Sequence, residues 1–479
     1  MEYQSGGLSR EEIRKKRRKK ERMQAMVILA VILLVIALLI GGVVLLLVRL
    51  FSDSDKQEEK AQVDAVTSES VVEQQVAADE EPEETTEEVV EEPVEEETVE
   101  EEPSEEEVEP EEEPSISDSV IDEILGTEDK AALEEKVSQK VESMTLEEKV
   151  AELFFVTPAQ LMGLQSAVTV VGSDFGDKFS AYPVGGILLD ESNMPSEEEF
   201  STFLSSMSVY IEDDTFIGIE NEGGEEAPFV ASGFSENVIA SHREIGESLG
   251  VSGAYSAGIS LGSELRRFGI DVNFAPNVDV AITEDSVAAK EGFGVDAATT
   301  AELGKNLVKG MVDQEISAAV GHFPSYGDVT HDGDGGQIVS NRTKEDLQKE
   351  YAPYLEAIDA GADFVVVSHV GLPKIRGDKR PASLSKEVIT DIIRTEWEYD
   401  GIVITDFMNR SCMYQKYTYA EAAVGAIEAG ADMILAPKNF QKSYNGILDA
   451  VADGTLSEER INESVRRIYR VKYSGSLTN

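Results

Sequence analysis

Residues Ser317–Gly336 read SAAVGHFPSYGDVTHDGDGG. They hold two of the four histidines in the chain, His322 and His331, with the carboxylates of Asp328, Asp332 and Asp334. Imidazoles and carboxylates at this density suit proton transfer or carboxylate attack on an electrophilic carbon. The apolar run Ala318–Val320 before them reads as a buried strand. A small-residue loop after such a strand is where α/β proteins place their sites. Three further polar residues end apolar runs of the same kind: Glu220 after Phe216, His369 after Phe364, and Asp406 in Gly401-Ile-Val-Ile-Thr-Asp. A single buried His or Asp often only satisfies a backbone group. Polar residues at separate strand ends point instead to one shared mouth.

Other chemistries fit less well. Asp328–Gly336 begins like a calcium loop, with Asp328, Thr330, Asp332 and Gly333 in step, but the twelfth position is Val339 instead of Glu. Two loop histidines without a third ligand do not make a zinc site. The single cysteine, Cys412, excludes an intrachain disulfide and a cysteine-based metal site. Ser368 and His369 are adjacent on one strand and face opposite ways, and no Gly-x-Ser-x-Gly elbow exists. His242, in a helical pattern, reads as structural. The net charge of −54 argues against a nucleic-acid partner, whose phosphates need Lys and Arg.

The elements that must carry these residues form a regular series. Candidate strands are Gly185–Leu189, Phe216–Glu220, Ile270–Phe274, Ala318–His322, Phe364–His369, Ile402–Asp406 and Met433–Ala436. Helical patterns lie between them, including Ala297–Val312, Lys344–Ala360, Lys386–Trp397 and Tyr419–Ala429. Ser457 is placed to cap a closing helix ahead of Glu458 and Glu459. Alternating β and α units imply a parallel sheet. The fold class is therefore α/β, a TIM-type (β/α)₈ barrel with one strand unassigned, over 121–479. An open doubly wound sheet would be expected to carry Gly-x-Gly-x-x-Gly, which is missing.

The N-terminal part differs in kind. Residues 1–22 form a basic tail with RKKRRKK at Arg14–Lys20. An uncharged stretch, Ala25–Val48 within 23–51, is long enough to span a membrane as one transmembrane helix. A Glu-rich, aromatic-poor stretch over 52–120 predicts a disordered acidic linker. Basic residues before the span place the N-terminus in the cytoplasm and the barrel outside, on a single-pass anchor in the cell membrane.

Across Val141–Lys472 the chain resembles family 3 glycoside hydrolases, most closely their bacterial β-N-acetylhexosaminidase branch. The motifs run in the family's order: MTLEEKVAELFFV at Met144, VGGILL at Val184, IGIENEGG at Ile217, NFAPNVDV at Asn273, EGFGVD at Glu291, the His322 loop, VVVSHV at Val365, PASLSKEVI at Pro381, YDGIVITDFMNRS at Tyr399 and GADMILAP at Gly430. The resemblance implies a barrel acting on carbohydrate, with cell-wall glycan fragments as partner and no metal or organic cofactor. It implies Asp406 as nucleophile and Asp332, with His331 or Asp334, as acid/base group. Glu220, His322 and His369 would line the sugar subsite. The family's loop reads Lys-His-Phe-Pro-Gly-His-Gly-Asp, where this chain has Gly321 for Lys and Ser325-Tyr326 for Gly-His, and Asp334 replaces the later His. Family Arg positions hold Glu225, Pro228 and Glu291, and the Asp before Gln-Glu-Gly-Gly becomes Glu220. Two readings follow: a retaining N-acetylglucosaminidase, or a non-catalytic relative that binds wall glycan or a protein partner.

Overall fold

The computed structural model describes residues 118–474 apart from Glu236, Asn237 and Val295. The basic tail, the apolar span and the acidic stretch up to residue 117 lie outside the described residues. Among the described residues, no helix is long and apolar enough to cross a membrane. The first described element is the helix Asp118–Ser143, so the expected domain start at 121 falls inside it.

Eight parallel strands follow: β1 Phe154–Val156, β2 Gly186–Leu189, β3 Phe216–Ile219, β4 Val272–Asn273, β5 Ser317–Phe323, β6 Phe364–Val367, β7 Ile402–Thr405 and β8 Ile434–Leu435. Each pairs with its sequence neighbour from β1 to β7, and β8 pairs with β1. A parallel bridge from Ile404 to Met433 brings β7 and β8 together, so the sheet closes into a barrel. The strand that sequence reading left unassigned is β1, a short run that directly follows the helix Leu146–Glu152. Helices over Ala297–Val312 and Tyr419–Ala429 form as expected. The Ser457 side chain accepts the Arg460 N–H and caps Glu458–Tyr473.

Period-two alternation fills the barrel. Phe154 turns outward to meet Phe440 edge-on at 5.2 Å. Phe155 turns inward, 5.1 Å from Phe274 and 6.3 Å from Phe216, which meets Phe364 at 5.4 Å. Gly186 and Gly218 make room for that ring: a Cβ would lie 2.5 and 2.6 Å from Phe155 atoms. The floor therefore consists of packed aromatic rings, and the barrel opens at its C-terminal mouth.

The opposite end is held by charge. Lys472 donates to Glu152 Oε1 at 2.5 Å, and both side chains are buried. Lys472→Met is expected to cost about 3–5 kcal/mol at pH 7, because Glu152 stays buried without its counter-charge and keeps only the Tyr469 hydroxyl, at 3.3 Å. Burial raises the Glu152 pKa even with Lys472 present, and removing the lysine raises it further. A carboxyl whose folded-state pKa exceeds its unfolded value loses stability as pH rises through that interval. Urea unfolding at pH 5 and pH 7 checks this. The deficit should shrink at pH 5; a deficit independent of pH would mean that packing, not charge, was lost.

Candidate active site

Strand geometry delivers the site residues. On β3, Phe216 and Gly218 face the barrel interior, so the same alternation carries Glu220 into the mouth. On β5 the register with β6 shifts between Val320 and Phe323, so one extra residue is accommodated. Such a bulge re-aims side chains. Phe323 goes outward against Trp397 at 4.5 Å, while His322 enters the mouth. Asp406 follows β7. The mouth opens into a cavity of about 1060 Å³ lined by residues that include Glu220, Glu222, Glu291, His322, Tyr326, Asp332, Asp406 and Arg410.

Asp406 is 1% exposed. Its Oδ1 accepts the Phe407 N–H at 2.6 Å, and its Oδ2 accepts a short hydrogen bond from the Tyr326 hydroxyl. Burial pushes its pKa up, but His322, His369 and Arg410, with the Tyr326 hydrogen bond, hold it below the usual carboxylate range. His322 shows the reciprocal effect. Burial opposes its charge, yet Asp279, Asp406 and Glu220 raise its pKa to about 10. At neutral pH the centre of the site is thus a carboxylate facing an imidazolium. Glu220 is open to the cavity but surrounded by protein. Its pKa is raised by burial and by Asp406, with His322 and Arg410 opposing. Glu222 is raised further, by burial and then by Glu220. The mouth therefore sets a carboxyl with a lowered pKa beside two with raised ones, the kind of separation that general acid–base chemistry uses.

The loop after β5 is held by two residues that the sequence did not single out. Asp279, buried, accepts the His322 N–H at 2.8 Å, the Tyr326 N–H at 2.9 Å and the Tyr354 hydroxyl at 2.6 Å. Arg342 donates to the carbonyls of Pro324 and Ser325 at 2.9 and 2.7 Å and to Glu350 at 2.7 Å. Its Nε lies 3.3 Å from Asp328, which also accepts the Ser340 hydroxyl at 2.7 Å. Asp328 is therefore engaged in holding the loop.

The structure brings together Asp406, Asp332, Glu220 and His322. It places the other three expected site residues away from the cavity lining. The His331 Nδ1 accepts the Gly333 N–H at 3.3 Å, inside its own turn. Asp334 lies on the exposed side, 2.9 Å from Arg410. His369 is buried, with Nδ1 2.8 Å from the Ser383 hydroxyl and Nε2 3.1 Å from the Phe407 carbonyl. It holds the segment that carries Asp406 rather than facing a ligand. Arg410 is a cation the sequence reading missed, as are Arg243 and Lys290, which line the same cavity. The Arg410 guanidinium lies 2.5 Å from Asp332 and 2.9 Å from Asp334. The signal was present in FMNRS, four residues after Asp406, but no local pattern pairs it with a loop more than seventy residues earlier. Glu225 and Glu291, at the family's Arg positions, both line the cavity.

The model of the glycosyl hydrolase family 3 N-terminal domain matches residues 145–471. Beta-hexosaminidase A of Pseudoalteromonas piscicida is 25% identical over 341 residues, which cover 64% of this chain and 56% of that protein. The beta-hexosaminidase of Hydrogenovibrio crunogenus is 28% identical over 259 residues, 53% of this chain and 71% of that protein. This chain thus spans little more than half the length of the first of these relatives. Among solved structures, a glycoside hydrolase family 3 beta-N-acetylglucosaminidase from a Paenibacillus species superposes with a TM-score of 0.63 at 30% identity, covering 70% of this chain and 64% of that one. The beta-N-acetylhexosaminidase of Beutenbergia cavernae gives 0.60 at 25% identity, over 69% and 99%.

Proposed function

The chain belongs to glycosyl hydrolase family 3, and from that membership we propose a retaining hydrolase of terminal β-N-acetylglucosaminides, with peptidoglycan-type glycans as substrate. One observation carries the reading: Asp406 is held ionised at the end of β7, at the base of a cavity large enough for a sugar. In this reading Asp406 attacks the anomeric carbon as the glycosidic C–O bond breaks. A cavity carboxyl protonates the departing oxygen. Water, deprotonated by that same group, then opens the glycosyl ester with net retention. Asp332, the loop carboxyl that lines the cavity, is the acid/base group, and Glu220 with His322 contacts the sugar hydroxyls. The apolar span anchors the chain in the cell membrane with the barrel outside, a placement that rests on the basic residues before the span.

The test is turnover by the full chain of aryl β-glycosides differing in the sugar. The N-acetylglucosaminide should be hydrolysed, and the anomeric proton of the first-formed product should show retention by NMR. A second reading is favoured by a specific observation. Arg410 ties up Asp332 and Asp334, and glutamates stand where the family carries arginines. On that reading the barrel binds wall glycan, or a protein partner, without cleaving it. The outcome that selects it is no turnover of any glycoside together with saturable binding.

A further inference from the structure

Tyr326 stands where the resembling family's loop has histidine, and its hydroxyl donates to Asp406 Oδ2. Its backbone N–H is fixed by Asp279 Oδ2 at 2.9 Å, and its ring lies 5.2 Å from that of His322. The side chain is 1% exposed, so it has no solvent-side position to swing into. A phenol carries one proton, and here that proton goes to Asp406; among the described residues the only other acceptor within reach is the Asp332 carbonyl, at 3.5 Å. A carboxylate offers about four lone-pair directions. Tyr326 takes one on Oδ2 and the Phe407 N–H takes one on Oδ1.

We propose that Tyr326 is a positioning residue for Asp406: a rigid donor that fixes the rotation of the carboxylate, keeps it ionised and leaves a lone pair directed at the sugar. This rests on reading Asp406 as the nucleophile. The groups that face Asp406 come from several elements. His322 and Tyr326 belong to β5 and its loop, His369 follows β6, Arg410 and Cys412 follow β7, and Glu220 follows β3. Among the described residues, His322 and Arg410 supply charge but make no hydrogen bond to Asp406. Tyr326 is therefore the side chain that fixes direction as well as charge. Burial raises the Tyr326 pKa well above that of an ordinary phenol, so it stays a donor across the working range.

The experiment follows the Asp406 carboxyl directly. The full chain in detergent micelles, labelled with [4-¹³C]aspartate, is titrated by NMR, with the Asp406 resonance assigned by its loss in Asp406→Asn. In Tyr326→Phe the midpoint should rise by about one pH unit or more, because the ionised form loses a donor. Where turnover is measurable, the acid limb of kcat/KM should move up with it, and kcat should fall more than tenfold with KM nearly unchanged. If Tyr326→Phe does not fold, Tyr326→Leu carries the test, since it too has no group that can donate to Asp406. An unmoved midpoint in a folded variant overturns the proposal even if the wild type is active. A shifted midpoint without turnover in the wild type keeps Tyr326 as the donor that positions the Asp406 carboxylate and rejects the nucleophile role on which its catalytic part rests.

Discussion

Asp406→Asn should lower kcat/KM on an aryl β-N-acetylglucosaminide by about 10⁴-fold or more while leaving the fold intact. The carboxamide has nearly the same shape. Its oxygen still accepts the Phe407 N–H, and its nitrogen can donate to the Tyr326 oxygen in place of the bond Tyr326 now makes. What disappears is the nucleophile, since an amide oxygen carries no full charge to place on an anomeric carbon. A 10⁴-fold loss corresponds to about 5.5 kcal/mol of transition-state stabilisation, a size expected when the group that bonds to the reacting atom is removed. Replacement by glycine gives an independent check. It opens space for azide to attack from the same face, which should restore turnover and yield the glycosyl azide of opposite anomeric configuration. Asp406→Asn with wild-type turnover would remove Asp406 from the chemistry and with it the proposed function.

Asp279→Ala should have the largest effect on the protein as a whole, about 3–5 kcal/mol of lost stability. The substitution strips the acceptor from two backbone N–H groups and a buried phenol at once, at His322, Tyr326 and Tyr354. It also leaves the His322 imidazole, 3.7 Å from Asp279 Oδ2, without its nearest counter-charge. Buried donors left unpaired cost about 1–3 kcal/mol each before relaxation, and breaking a buried charge pair costs a similar amount or more. Urea unfolding measures the stability loss. Activity measured well below the unfolding midpoint should also fall, because the β5 loop that carries Tyr326 and Asp332 loses its anchor. Asp279→Asn keeps acceptor capacity and should recover part of the stability without the charge. A deficit below about 1 kcal/mol in Asp279→Ala would mean that water replaces the carboxylate and that the loop is held chiefly by Arg342.

Much of this protein is legible in the sequence because the signals are local. A strand in a parallel barrel is a short apolar run, and a polar residue at or just past its C-terminal end marks the mouth. That is why Glu220, His322 and Asp406 stand out in the sequence, and why the order of β and α segments implies a barrel. The β1 strand escapes because Phe154–Val156 follows a helix directly, and an apolar run of three residues has no period of its own. His369 has the right position in its strand but the wrong orientation: Ser383 and the Phe407 carbonyl, both distant in sequence, take its two nitrogens. The same holds for His331 and Asp334, whose spacing within the loop says nothing about which of them the loop turns toward the cavity. The acids, the strand ends and the family were thus determined by sequence alone, through short-range periodicity and motif. The partners of those acids, Tyr326 on Asp406, Arg410 on Asp332 and Asp279 beneath the loop, were decided only by the tertiary structure. Closing the barrel brings β4, β5 and β7 to one mouth, where burial strengthens charge interactions and leaves each polar group only the partners within reach.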